Sequence, residues 1–218
     1  MQKKKLFLTL ILSVVLSGCS SLTGSKEAAD KDMSAYEKIQ KSLVSMENYK
    51  AEATIEYINN KGKNTYETLQ YGKSSGEYRI EIVGPEKVAG NITLSDGKMI
   101  CQYNPRIAGK ISVTTTESRD RSEILLTTFI KNHLNSHEVS INVTNMDQNW
   151  CTVLESSIPG DHAYLNTEKL WVDNTTYKPL KLVIYDSDGS ERVIVTYKEF
   201  EYNVQLDDAL FDTSALYK

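Results

Sequence analysis

Apolar residues recur along the chain with two different spacings, and each spacing predicts a type of element. The first stretch repeats at intervals of three and four residues, which is one face of a helix. Ser34 and Glu37 have the spacing of a capping box, so a helix is predicted from Ser34 to about Glu47. Its apolar face comprises Tyr36, Ile39, Leu43 and Met46.

From Lys50 the apolar spacing becomes two, which is typical of half-buried strands. Asn59–Gly62, Asp96-Gly97 and Asp188-Gly189 provide turn signals between strands. The predicted strands cover residues 50–57, 64–72, 77–82, 91–95, 98–103, 110–116, 138–146, 149–157, 164–173, 180–186 and 190–203.

A second helix interrupts these strands. Asp120 or Ser122 is expected to cap it, and an apolar face continues to Asn135. Because helices do not alternate with strands and nothing repeats at a fixed period, a parallel βαβ sheet is disfavoured. The predicted fold class is α+β, mainly β, with two helices on one face of an antiparallel sheet.

The first nineteen residues have the layout of an export signal. Lys3–Lys5 form a basic segment, Leu6–Leu16 an apolar one, and Ser17-Gly18 are small residues before Cys19. The apolar segment is shorter than the roughly 20 residues that span a membrane. Residues 1–18 are therefore predicted to be a signal peptide.

The segment Leu16-Ser17-Gly18-Cys19 resembles a bacterial lipobox. That resemblance implies that the Cys19 thiol carries a diacylglyceryl group and that Cys19 becomes the lipidated N-terminus. An ordinary cleaved signal with an incidental cysteine is the alternative. Residues 19–33 are polar and aperiodic, so we expect a lipidated tether there and a folded domain over 34–218. The protein is then exported and anchored to the cell or forespore membrane, facing the envelope or intermembrane space.

The net charge of the chain indicates which classes of partner are disfavoured. The chain carries a formal net charge of −4, and removing the three signal lysines makes it about −7. An acidic surface of this kind does not suggest nucleic acid, and anionic headgroups would repel it. Membrane attachment would depend on the acyl chains, each buried CH₂ contributing about 0.8 kcal/mol.

Several segments in order resemble the LolA/LolB-like lipoprotein-carrier fold. They are the helix end Met46–Lys50 that continues into Ala51–Tyr57, the segment Leu170–Lys181, the last hairpin, and Leu206–Phe211. The resemblance covers most of residues 34–212. It implies an unclosed antiparallel half-barrel whose concave side is covered by helices around an apolar cavity. The two amphipathic helices are the expected lid.

Within this fold, the lipobox, the many lysines and tyrosines and the segment Arg119–Asn135 most resemble the clostridial spore-germination lipoproteins of the GerS type. That resemblance implies a non-enzymatic role in sporulation and germination. Members of that group bind and enable CwlD, a zinc-dependent N-acetylmuramoyl-L-alanine amidase, in the step that leads to muramic-δ-lactam in the spore cortex. A CwlD-like amidase is therefore the expected protein partner.

No motif in the chain predicts a catalytic, cofactor or metal site. His133 and His137 have the spacing of two zinc ligands on a helix, but the glutamate of H-E-x-x-H is missing. Asn135-Ser136 is expected to end the helix between them. Asp186–Ser190 lacks the distal glutamate of a calcium loop and is interpreted as a hairpin turn. Strand carboxylates are expected on the solvated face of a sheet: Glu52, Glu56, Glu77 and Glu81.

Two cysteines remain after Cys19. Cys101 and Cys151 each lie in a strand-like segment, where a small buried hydrophobe and a disulfide are both possible. The thirteen tyrosines are open to two interpretations, sheet packing and a partner-facing cluster. Those predicted on strands are Tyr66, Tyr71, Tyr78, Tyr103, Tyr185 and Tyr197.

Three functions follow from the sequence. The first is an anchored binding module that activates an amidase. The second is a lipid or lipoprotein carrier or acceptor with an apolar groove. The third is an envelope enzyme that uses His133, His162 or Cys151. Open sheet edges can also pair between copies, which allows a homodimer.

Overall fold

The part of the chain that the structure describes contains two short α-helices, eleven strands and three short 3-10 helices. The computed structural model gives the structure of residues 34–107, 111–114, 122–160 and 162–216. The predicted signal peptide, Cys19 and the tether lie outside these residues. So do Lys110, Thr115 and Thr116 of one predicted strand and Asp120, one of the two predicted caps.

The first helix, α1, spans Ala35–Val44, and the predicted capping box begins it. The Ser34 hydroxyl accepts from the N–H of Glu37, whose carboxylate accepts from the N–H of Ser34 at 2.7 Å. The helix ends three residues before the predicted Glu47. Asn203 Oδ1 accepts from the N–H of Glu47 at 2.8 Å and of Asn48 at 3.3 Å, which holds the chain in the extended path of the first strand.

The strands form one antiparallel sheet in the order β6-β5-β4-β3-β2-β1-β11-β10-β9-β8-β7. The sheet is open, because β6 and β7 are its two edges. The strands are β1 (Asn48–Asn59), β2 (Gly62–Lys73), β3 (Tyr78–Gly84), β4 (Ile92–Ser95), β5 (Met99–Tyr103), β6 (Ile111–Thr114), β7 (Val139–Met146), β8 (Asn149–Ser157), β9 (Thr167–Asp173), β10 (Pro179–Tyr185) and β11 (Glu191–Tyr202).

The second helix, α2, spans Leu126–Asn135 and begins later than predicted. A short 3-10 turn over Ser122–Ile124 precedes it, and Leu125 is extended, with φ −89° and ψ 138°. This extended residue separates the two helical pieces, so Ser122 does not cap α2. The helix ends at Asn135, as predicted.

Both helices pack on the same face of the sheet. Every second residue of a strand has its side chain in the core on that face, as Ala51, Ala53 and Ile55 of β1 do. The helices add four fully or nearly fully buried side chains to the same core: Ile39, Leu43, Leu126 and Phe129. This arrangement confirms the predicted α+β class, and we call the face that carries the helices the helix face.

Candidate interaction surface

The helix face bears an exposed apolar strip at one edge of the sheet. Of nine large apolar side chains that are exposed in the described residues, four lie on the β7–β8 hairpin, with Val143 61% and Trp150 62% exposed. Directly opposite residues of an antiparallel pair share a face. Ile141 lies opposite the buried core residue Leu154, which places the strip on the helix face. The β7 strip consists of Val139, Ile141, Val143 and Trp150.

The outer edge of strand β7 is also suited to backbone pairing with another strand. It is the last strand of the sheet order, so no described strand occupies its outer side. Its eight residues contain no charge and no proline, although Glu138 precedes it and Asp147 follows it. Charges and prolines are the usual means by which proteins keep an edge strand from pairing. Strand β7 is therefore suited to contact with another chain.

The strip continues toward the helices. Leu134, which is exposed on α2, and the buried Leu154 both line a small cavity between α1, α2 and β8. Since Leu154 is the cross-strand neighbour of Ile141, the apolar surface extends from β7 to the rim of α2. This cavity measures about 20 Å³, enough for about one water molecule and far too small for an acyl chain.

A larger cleft opens at the end of the β1–β2 hairpin. Its volume is about 640 Å³, within the roughly 300–1,000 Å³ range of ligand sites. The side chain of Arg192 reaches both Asp186, where Nε donates to Oδ2 at 2.6 Å, and the ring of Tyr164, at 5.8 Å. The apolar part of the lining includes Tyr57, Ile58, Leu165 and Val193.

The two histidines with zinc-like spacing are not brought together as a ligand pair. His133 stacks on Phe129 with ring centroids 5.5 Å apart, and burial lowers the pKa of its imidazole. His137 lies beyond the end of α2 and is exposed. Within the described ranges, no group of three or more His, Cys, Asp or Glu side chains could hold a metal ion.

The cysteines are separate buried thiols. Cys101 in β5 and Cys151 in β8 lie near opposite edges of the sheet, and they do not form a disulfide with each other. Burial, together with the charge of Asp173, raises the pKa of the Cys151 thiol. Cys151 alternates with Leu154 and therefore faces away from His133. A protonated thiol on the other face of the sheet is unsuited to act as a nucleophile with that histidine.

The acidic segments that the sequence singled out have structural roles. Asp186 Oδ1 accepts from the N–H groups of Ser190 at 2.8 Å and Asp188 at 3.0 Å, which closes the predicted hairpin turn. The Ser190 N–H is also the main reason that the pKa of Asp186 lies below its usual range. On the strands, Glu56 pairs with Lys63 at 2.6 Å, consistent with a solvated sheet face.

All six tyrosines that were predicted on strands lie on strands. The ring of Tyr49 stacks on Phe200 with ring centroids 5.3 Å apart, and Tyr197 and Tyr202 contact Phe200 edge to face.

Two features of the structure were not predicted from the sequence: the β7 strip and the burial of Glu168. The alternation of uncharged residues in V-S-I-N-V-T-N-M signals the β7 strip, and Glu168 shares the parity of the buried Leu170.

Membrane attachment through Cys19 stays a prediction, because Cys19 lies outside the described residues. In those residues, no helix has the length and apolar character that a membrane span requires.

An open antiparallel sheet with two helices on one face defines a LolA-like α+β protein. The chain belongs to the family of YdcC-like sporulation proteins, whose family model matches residues 3–211. No match was found among curated proteins.

Solved structures show similar folds. An uncharacterized conserved protein from Thermus thermophilus is 14% identical with a TM-score of 0.50, over 84% of this chain and 92% of its own. The LolA superfamily protein NE2245 from Nitrosomonas europaea is 14% identical with a TM-score of 0.47, over 84% and 100%. A chain in the complex of the CwlD amidase from Clostridioides difficile with the GerS lipoprotein is 28% identical with a TM-score of 0.49, over 84% and 99%.

Proposed function

We propose that this protein is a membrane-anchored, non-catalytic sporulation protein that binds a cell-wall amidase of the CwlD type and enables its activity in the spore cortex. Membership of the YdcC-like sporulation family supports a role in sporulation. The partner class comes from the sequence resemblance to GerS-type lipoproteins. The observation that carries the proposal is the β7 strip, a surface built for contact with another macromolecule.

The strip has the properties of an interface centre. Exposed apolar side chains that cluster on one face of one hairpin mark protein contact sites more often than scattered ones do. Trp150 is of the residue type that most often dominates binding energy at such centres. Because a stable interface buries about 800 Å² per partner, the amidase must also cover polar residues around the strip.

The open edge of β7 suggests how the amidase binds. An extended segment of the partner can add to an exposed sheet edge, where main-chain hydrogen bonds provide affinity and alternate side chains provide specificity. Val139, Ile141 and Val143 are such alternate side chains, all on the helix face. We assign the strip to the amidase.

The proposed lipid anchor at Cys19 would place the contact with the amidase at the membrane surface. Acyl chains on Cys19 would hold the folded domain beside the membrane through the tether of residues 19–33. Two or more chains suffice for stable attachment. The amidase is then recruited to, and held at, the same membrane surface.

A matched pair of substitutions tests the proposed interface. Val143→Lys places a charge in the strip, whereas Val83→Lys places the same charge on β3, where Val83 is similarly exposed at 53%. A lysine buried without a partner is costly, so Val143→Lys should weaken binding to purified CwlD-type amidase at least 10-fold in a titration. The Val83→Lys variant should bind like the unmodified chain.

Each outcome has a separate meaning. If Val143→Lys binds as tightly as the unmodified chain, the strip is not the interface. If the unmodified chain itself does not bind the amidase, the proposed function fails.

The cleft beside the β1–β2 hairpin favours a second candidate, a tethered lipid or lipoprotein acceptor. Its volume of about 640 Å³ and its largely apolar lining could hold part of an acyl chain. Native mass spectrometry of the purified chain tests this function. Bound lipid that is lost when Leu165 is changed to glutamate would support it, and a lipid-free chain would remove it.

A further inference from the structure

The turn between β7 and β8 determines which main-chain groups of β7 point to its outer edge. Asp147 and Gln148 both have positive φ, 50° and 74°, as in the type I′ turn of a two-residue hairpin. In such a hairpin the closing residues, Met146 and Asn149, exchange both of their N–H···O=C bonds, and so does every second pair along the ladder. The β7 residues between those pairs direct their N–H and C=O groups away from β8.

A hydrogen bond on the other side of β8 gives the same alternation. The carbonyl oxygen of Trp150 accepts from the N–H of Asn174 at 2.9 Å, on the side of β9, so the main-chain groups of Trp150 point away from β7. Trp150 lies opposite Asn145. The residues of β7 whose main-chain groups point outward are therefore the odd-numbered ones: Val139, Ile141, Val143 and Asn145.

A strand added along this edge would lie beside an apolar row on one face and a polar row on the other. Side chains directly opposite each other in neighbouring strands share a face. On the helix face the added side chains would lie beside the β7 strip. On the other face they would lie beside three uncharged polar residues, Ser140, Asn142 and Thr144. The edge therefore fits a segment in which apolar and polar residues alternate.

Acidic residues flank β7 at both ends. Glu138 precedes the strand and Asp147 follows it, and both are exposed. Two copies of this chain paired antiparallel along β7 would bring Glu138 of each copy near Asp147 of the other, and like charges so placed are destabilising. A strand with lysine or arginine at its ends would instead be attracted. The charges thus favour a segment of a different protein over a second copy.

We infer that the amidase contributes one extended segment that adds to β7 as a further strand, apolar on the helix face, polar on the other face and basic at both ends. This inference rests on the proposed function and specifies the part of the amidase that binds. The main chain of the segment bonds to the odd-numbered residues of β7. Its basic ends lie beside Glu138 and Asp147.

Residue-resolved hydrogen exchange tests the added strand. Exchange is measured by mass spectrometry in the full chain in detergent, without amidase and with purified CwlD-type amidase at about ten times its Kd. The four outward amides should exchange about 10-fold more slowly with amidase, because they are then accessible mainly when the added strand leaves. Asn145 is the most informative of them, since its side chain lies outside the β7 strip. The amides of Ser140, Asn142 and Thr144 already bond to β8 and should be protected in both samples.

Failure of the added strand differs from failure of the proposed function. If the amidase binds and Val143→Lys weakens that binding, but the four outward amides exchange as in the free chain, the added strand is wrong and the proposed function stands. Slowing that omits Asn145 would also overturn the added strand, because contact with the side chains of the strip alone would explain it. If the amidase does not bind at all, both proposals fail.

A pair of double variants tests the basic ends. Glu138→Gln with Asp147→Asn removes both charges, and asparagine tolerates the positive φ at position 147. Amidase binding should weaken about 5-fold at low ionic strength, and added salt should reduce the difference. The control, Glu199→Gln with Asp188→Asn, neutralises two exposed acids elsewhere and should bind like the unmodified chain. Equal binding by the two double variants would overturn the assignment of basic ends.

Discussion

Tyr49 and Gly72 show how closely individual residues fit in this sheet. The ring of Tyr49 is fully buried and lies across Gly72, its cross-strand neighbour in the β1–β2 register. A Cβ atom at position 72 would come within 2.6 Å of Cε1 of that ring. The glycine therefore provides the space in which Tyr49 stacks on Phe200.

Gly72→Ala should destabilise the protein by about 1–3 kcal/mol, because the rigid ring of Tyr49 cannot move without disturbing its stack. Urea denaturation measures the change. Thr65→Ala, at an exposed position of the same strand, is the control and should stay within about 0.5 kcal/mol of the unmodified chain. Equal stability of the two variants would show that the core around Tyr49 is loosely packed.

The buried contact of Glu168 with Asn132 is a residue-level feature that the sequence does not predict. Its parity with Leu170 indicates a buried position, but an acidic residue in a strand is usually assigned to the solvated face. Its hydrogen-bond donor, Asn132, lies 36 residues away on a different kind of element. Periodicity locates each element but does not define how a helix docks on a sheet, so this contact could not be predicted.

At the scale of elements, features set by local interactions were predictable and those set by distant contacts were not. The α1 start depends on Ser34 and Glu37, three residues apart, and the capping box is confirmed. Its end depends on Asn203, more than 150 residues away, which binds the N–H groups of Glu47 and Asn48. The helix was therefore predicted too long at that end only.

Strand β7 shows the same division. Its period of two predicted a strand, and the structure confirms the bounds to within one residue at Val139–Met146. The sequence does not show that β7 lies at an edge of the sheet, with no described strand along its outer side. This follows only from the strand order of the whole sheet. The exposure of Val143 on the helix face is a consequence of that order.

At the scale of the whole molecule, the pairing of β1 with β11 joins the two ends of the folded chain. The other strand pairs are neighbours in sequence, some through tight hairpins, whereas this pair is separated by most of the described residues. Local patterns do not define such a pairing. The family resemblance supplied the half-barrel that the structure shows.

The lipobox resemblance predicts that attachment of the whole molecule depends on one side chain, the thiol of Cys19. Cys19→Ala is expected to abolish labelling by a radioactive fatty acid and to leave an uncut precursor, because the thiol is the site of acylation that the lipobox resemblance implies. Gel migration and labelling of the expressed chain give the result, with Cys151→Ala as the control. Undiminished labelling of the Cys19→Ala variant would place the lipid elsewhere.

The central claim is that this protein acts by contact with an amidase and performs no catalysis of its own. The most direct measurement is the rate at which a purified CwlD-type amidase cleaves cortex peptidoglycan, alone and with the full chain. We predict that the unmodified chain and Val83→Lys raise the rate, that Val143→Lys does not, and that the chain without amidase releases nothing. An amidase rate that is the same with and without the chain, or cleavage by the chain alone, would contradict the account.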